Sequence, residues 1–252
     1  RRNNILTISA DAKTVKGEEK GYLTGILYLS PHKMSGKNFC LFATPGCIGG
    51  CLNTAGRGHM DCVQIARLKR SAYMLTDKEN FMLELYIRIQ ALIKRAENKD
   101  LIPCIRLNGT SDLRFENLKF NYNDKKRTLM QIFKTVQFYD YTKFPLNTGR
   151  WDNLPPNYDL TYSLAENNQI QALELLLANK RVAAVYDHKK ELPEFQEFIY
   201  NNKSYKFPVL DADSSDLRFN DPGSYICGLK AKGKAKNDTS GFVLYNNTIT
   251  IN

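Results

Sequence analysis

Short β-type runs alternate with helix-type runs from about residue 22 to residue 230, and this alternation most narrows what the chain can fold into. Strands separated by helical patterning read as parallel βαβ units, because parallel neighbours need a crossover long enough to return along the sheet. TGILYLSP (24–31) reads as the first buried strand, and a glycine- and cysteine-rich loop follows it. Helical patterning from Met60 to Met74 leads to Thr76, read as the N-cap of a helix reaching about Asn98. Glu79 completes a capping box there, and Phe81, Leu85, Ile89 and Leu92 form one apolar face.

Strands are then expected at 102–108, 136–143, 158–163, 182–187 and 225–231, with helices at 126–134, 166–179 and 192–200 and an extended segment at 207–213. About six βα units fall short of an eight-stranded barrel, so the pattern implies an open or partial barrel or an open doubly wound sheet. The expected fold is α/β, a partial (βα)6 TIM-like barrel with a cysteine-rich loop after the first strand. A single domain is expected over 1–252, with an N-terminal extension (1–21), the barrel (22–236) and a C-terminal tail (237–252). In either architecture function gathers on loops at the carboxyl ends of the strands.

The 252 residues are 42% hydrophobic, enough for a real core, which excludes a disordered chain or a disulfide-stapled miniprotein. No run approaches the ~18 apolar residues of a membrane-spanning helix. The two leading arginines have no apolar stretch behind them, so they do not read as a secretory signal. A cytoplasmic location and no membrane partner are therefore expected. In that reducing setting, clustered cysteines read as metal ligands or catalytic groups. A formal charge of +10 favours an anionic partner such as nucleic acid, phosphate or an anionic cofactor, although many soluble proteins are this basic.

The strongest chemical signal is CLFATPGCIGGC, which places Cys40, Cys47 and Cys51 in one loop with Cys-x6-Cys-x3-Cys spacing. Thiolates suit zinc, copper(I) or iron-sulfur clusters, and three protein ligands leave one metal position open. With Cys62 or His59 as a fourth ligand the site becomes a closed structural zinc centre. Unmetallated loop thiols are the plainest alternative. Cys104 and Cys227 lie in strand-like apolar runs and read as ordinary buried cysteines.

The loop resembles the cysteine motif of radical S-adenosylmethionine-like phage proteins of the Gp37/Gp68 type, with one more residue in the last gap. The chain resembles the phage gene product 88 family more closely, through KGYLTGILYLSP, GCIGGCLNTAGRG, IRLNGTSDLRFE and GLKAKGKAKNDTSGFV. The radical enzyme resemblance implies a [4Fe-4S] cluster on Cys40, Cys47 and Cys51, S-adenosylmethionine on the fourth iron, an external electron donor, and a host cytoplasm for a phage-encoded chain. It also implies that Asn108, Thr110, Ser111 and Asp112, after the second strand, contact the methionine end of the cofactor. Ser111 or Asp112 serves equally well as a turn residue.

Ser163 and Glu166 end the fourth strand and can bind ribose hydroxyls, while Glu166 is equally explained as a first-turn carboxylate favoured by the helix dipole. Tyr139, Tyr141 and Lys143 fall on one face of the third strand and Asp140 and Thr142 on the other, so they cannot all serve one site. Lys230, Lys232, Lys234 and Lys236 share one face if extended, either as phosphate contacts or as a solvated edge strand. Arg57, Lys69 and Arg70 add charge near the cysteine loop. The leading expectation is an iron-sulfur, S-adenosylmethionine-dependent radical enzyme acting on nucleic acid or a nucleotide. The alternative is a zinc-stabilised TIM-like protein that binds or modifies nucleic acid without redox chemistry.

Overall fold

The computed structural model describes residues 5–8 and 12–251. In chain order the first elements are β1 (Leu6–Ile8), α1 (Ala12–Glu19), β2 (Tyr22–Leu27), α2 (Pro45–Gly49), α3 (Asp61–Thr76), α4 (Lys78–Glu97) and β3 (Ile102–Arg106). Next come β4 (Phe120–Tyr122), β5 (Lys125–Arg127), α5 (Leu129–Ile132), β6 (Gln137–Thr142), β7 (Tyr158–Ser163), α6 (Gln169–Leu177) and β8 (Val182–Tyr186). The chain ends with β9 (Phe195–Tyr200), β10 (Lys203–Asp211), β11 (Ile226–Lys230), β12 (Val243–Leu244) and β13 (Thr248–Ile251). Residues 1–4 and 9–11, part of the expected N-terminal extension, lie outside the described residues.

Two compact units form. The first takes Arg1–Leu41, Met60–Asp140 and Trp151–Asp159, the second Phe42–His59, Tyr141–Arg150 and Leu160–Asn252. In the first, β2, β3 and β6 run parallel and β1 joins β2 antiparallel. Every residue of β2 after Tyr22 is buried, as a strand covered on both faces requires. Phe81, Met82, Leu85, Ile89, Leu92 and Ala96 make the buried stripe of α4, which includes all four positions read from the sequence. The packing is close enough to demand glycine in β2: a Cβ on Gly25 would stand 2.8 Å from Leu6 Cδ2 and 3.0 Å from Leu92 Cδ2. The N-cap of α4 is Asp77, whose Oδ1 accepts from Asn80 N at 3.2 Å, while Thr76 bonds back to Ala72 O within α3.

In the second unit the strand order is β7-β8-β11-β10-β9-β13, with β12 also on β8. The pairs β7–β8, β8–β11 and β11–β10 are parallel, β10–β9 is antiparallel and β9–β13 is parallel. α6 covers this sheet with Ala172, Leu173, Leu175 and Leu176 buried.

The expected partial (βα)6 barrel does not form. The architecture is mixed α/β with mostly parallel, open sheet: β1 and β13 each have one neighbouring strand, so the strands do not close on themselves. The expected helix–strand alternation is also interrupted in two places. The segment expected as a helix at 192–200 contains β9, which turns into β10 through Asn201 and Asn202 at φ 50° and 59°. The helix expected at 126–134 is preceded by the hairpin β4–β5, whose turn residues Asn123 and Asp124 have φ 47° and 59°. Paired positive φ values are those of a two-residue type I′ turn, which Asn and Asp tolerate. The four lysines near the C-terminus do not share an extended face either. Lys230 ends β11, Lys232 pairs with Asp213 at 2.7 Å, and Lys234 and Lys236 lie in the 3-10 turn Gly233–Asn237.

Among the described residues no helix is long and apolar enough to cross a membrane. Gly25→Val is expected to lower stability by roughly 1–3 kcal/mol through overpacking against Leu6 and Leu92. A urea midpoint equal to that of the parent protein would show that these side chains are not seated on β2.

Candidate functional site

Each thiol of the cysteine loop is used locally. Cys40 forms an isolated bridge with Asp112, and its Sγ accepts from His32 N at 3.4 Å and lies 3.9 Å from Thr110 O. Cys51 caps the 3-10 turn Leu52–Thr54, its Sγ accepting from Asn53 N at 3.5 Å. Cys47, inside α2, packs against the small core of Ala165, Ala231, Ala235, Phe242 and Val243. Cys62 is exposed, and the His59 ring bonds to Gly56 O.

Among the described residues, no three His, Cys, Asp or Glu side chains form a group that could hold a metal ion, and no disulfide is present. This overturns the expected [4Fe-4S] cluster on Cys40, Cys47 and Cys51, together with S-adenosylmethionine as its ligand and zinc as the alternative. The sequence motif brings thiols close along the chain, but the Thr-Pro-Gly helix start and the Cys51 turn commit them to capping and packing.

Thr44 is the N-cap of α2: its hydroxyl accepts from Cys47 N at 3.2 Å, with Pro45 in the first helical turn. Glu166 completes this arrangement, Oε1 accepting from Gly46 N and Oε2 from the Thr44 hydroxyl, both at 2.7 Å. Its carboxylate thus holds the start of α2, where the peptide dipoles favour negative charge. Gly46 is required by the same packing, because a Cβ there would lie 2.0 Å from Ser240 Oγ and 2.7 Å from Phe242 Cβ. Ser163 lies nearby in sequence but has another partner: Lys143 Nζ donates to Ser163 Oγ at 2.6 Å.

Asn108, Thr110, Ser111 and Asp112 come together at the carboxyl end of β3, where they shape their own loop. Asn108 Oδ1 accepts from Ser111 Oγ at 2.9 Å and Leu113 N at 2.8 Å, and its Nδ2 donates to Leu113 O at 3.0 Å. The Thr110 hydroxyl donates to Leu29 O at 2.5 Å, and Asp112 N donates to Phe39 O at 2.8 Å. Asp140, within β6 and 2% exposed, accepts from Asn108 N at 2.8 Å, Leu107 N at 3.3 Å, Asn108 Nδ2 at 3.2 Å and Tyr158 OH at 3.0 Å. The sequence gives no local sign of this role for Asp140, since its donors lie 18 to 33 positions away.

The feature that sequence reasoning missed is the orientation of α3. Its buried positions are Arg67, Ser71 and Met74. Ile65, Leu68, Ala72 and Leu75, at helical spacing, face outward. The Arg67 guanidinium stands 5.2 Å from the Tyr28 ring centroid, Arg70 Nη1 donates to Tyr28 O at 3.2 Å, and Ser71 Oγ accepts from Ser30 N at 2.8 Å. The cationic face of the helix therefore lies over the segment that follows β2. Burial and the neighbouring Arg67 hold the Arg70 guanidinium below its ordinary value, against an opposing effect of Tyr28. The Ser30 and Ser35 hydroxyls are buried with no hydrogen-bond partner among the described residues. On the outer side, Met34 and Ser35 of the loop and Leu68, Lys69 and Ala72 of α3 line a pocket of about 350 Å³. Lys33 and Lys37 are exposed on that loop.

Asp140→Asn is expected to cost about 3 kcal/mol, because an amide NH2 then faces donors that had an acceptor. Equal denaturant midpoints for the variant and the parent would refute that account of β3 and β6. A second test is thiol order. Burial pushes the Cys227 thiol up to about 11, and Cys104 and Cys227 are both fully buried. At pH 8 iodoacetamide is expected to modify exposed Cys62 first and to reach Cys104 and Cys227 only after denaturation. Peptide mapping that finds Cys227 alkylated as fast as Cys62 would contradict this burial.

The family model described as gene product 88 covers residues 3–246. No curated protein and no solved structure matches the chain. Coverage of nearly the whole sequence makes the chain a member of the gene product 88 family.

Proposed function

We propose that the protein binds nucleic acid or a nucleotide on the first unit, at α3 and the loop of residues 31–39. The observation that carries this reading is the inverted α3, with Arg67 and Arg70 over the end of β2 and apolar side chains beside exposed lysines on the outside. Lys33, Lys37 and Lys69, exposed on the outer side, are the cations that can meet phosphate oxygens there. The pocket lined by Met34, Leu68 and Ala72 suits the flat apolar face of a base, with Lys69 at hand for the backbone. The net charge of +10 supports the same partner by steering polyanions to the surface. The radical reaction rested on the cluster, and it is not carried into this reading.

The test is fluorescence anisotropy with a labelled single-stranded oligonucleotide across a salt series. Affinity is expected to fall steeply as salt rises, since each neutralised phosphate releases counterions. Lys33→Glu with Lys69→Glu, both at exposed positions, is expected to weaken binding about tenfold or more, or at least ~1.4 kcal/mol. No binding at low salt, or binding indifferent to both substitutions, would remove the proposal.

A further inference from the structure

The second unit holds a pairing that the nucleic-acid reading does not use. Lys143 directly follows β6 and is 8% exposed, and its Nζ donates to Ser163 Oγ at 2.6 Å. The same Nζ lies 5.6 Å from the Phe242 ring centroid, so the amine sits between a hydroxyl and an aromatic face. Ser163 is the last residue of β7 and is half-buried. Its backbone is fixed by Asn168, whose Nδ2 donates to Ser163 O at 3.0 Å while Oδ1 accepts from Ala165 N at 2.7 Å. A nucleophile within hydrogen-bond reach of a base, at the carboxyl end of a parallel strand, is the arrangement that serine–lysine acyl transfer requires.

We infer that Ser163 is a nucleophile and Lys143 its general base, forming an acyl-enzyme from a carboxylic ester or amide. When Nζ is an uncharged amine, the hydrogen bond reverses and the Ser163 hydroxyl donates to it. Oγ attacks the acyl carbon and its proton passes to Nζ. The bond from the acyl carbon to the leaving oxygen or nitrogen breaks, and the leaving group takes that proton. Water, deprotonated by the same amine, then cleaves the acyl–Oγ ester and regenerates the serine. No oxidant or further reactant enters the balance. An ester or amide carbonyl carbon is the class of electrophile that a serine hydroxyl paired with an amine base attacks.

The test uses the full chain with p-nitrophenyl acetate and a fluorophosphonate as probes, read by peptide mass spectrometry. An acetyl or phosphonyl adduct on Ser163 is expected, absent from Ser163→Ala, with p-nitrophenol released in a burst. Lys143→Met is expected to slow labelling at least ~100-fold. Lys143→Arg keeps a cation and a donor beside Ser163 yet cannot take up a proton, so it is expected to fail equally, and it decides the matter if Lys143→Met melts early. Labelling of the parent no faster than of Ser163→Ala, or full labelling in Lys143→Arg, would overturn the inference.

Discussion

In the first unit the parallel strands are held at their carboxyl ends by one buried carboxylate. Asp140 is almost fully enclosed and takes hydrogen bonds from two successive backbone amides at the end of β3, from the Asn108 side chain and from the Tyr158 hydroxyl. A buried carboxylate is costly unless its lone pairs are satisfied, so these donors and the acceptor fix each other's places. The result is a loop after β3 whose shape is set before any ligand arrives. Asn108, Ser111 and Leu113 then close that loop on itself, and Thr110 ties it to the end of β2. Polar residues that suggest a binding motif in the sequence are, in the folded chain, the framework of a strand-end loop.

The second unit solves a similar problem with a different carboxylate. Glu166, just after β7, binds the start of α2, and Gly46 lets Ser240 and Phe242 come against the helix. The thiol of Cys47 becomes part of a small apolar core in consequence. A carboxylate can cap a helix start and still leave an adjoining hydroxyl available, and Ser163, three residues earlier, is that hydroxyl. The rigid turn that Asn168 makes between the two keeps their roles separate.

Much of the fold was legible where one interaction dominated. The apolar face of α4 repeats at helical spacing over about four turns, and β7 lies at the expected 158–163 because YDLTYS is buried through most of its length. The helix and strand boundaries failed where short-range chemistry competed. Thr76 and Asp77 are both N-cap residue types, and the side chain that reaches Asn80 belongs to Asp77. Asn123-Asp124 and Asn201-Asn202 lack the glycine that usually announces a tight hairpin, yet both pairs adopt positive φ; the first adds a hairpin ahead of α5 and the second makes a strand of the segment read as a helix at 192–200. The metal reading failed for a physical reason as well. Spacing along the chain says how near thiols are in sequence, whereas ligation needs their sulfurs to point at one centre. Here the His32 amide on Cys40 Sγ, a 3-10 cap at Cys51 and a packed core around Cys47 direct them to different tasks.

The inside-out helix α3 is the element whose energetics point beyond stability. Ile65 is 50% exposed, and Leu68 and Leu75 are each 37% exposed, while Arg67 is 6% exposed. Burying a large aliphatic side chain is worth roughly 1.5–3 kcal/mol, so a rotation exchanging the two faces would place apolar groups inside and return the guanidiniums to water. The chain forgoes that gain. What it obtains is a pair of arginines held by Tyr28, with Ser71 bonded to Ser30 N beside them after β2, and an apolar surface left outside beside lysines. The inner face has its partners in Tyr28 and Ser30, whereas Ile65, Leu68 and Leu75 on the outer face meet water. A partner that brings flat apolar rings and phosphates to that outer face, beside the exposed lysines, supplies what it lacks, and this ties the local structure of α3 to the proposed binding function.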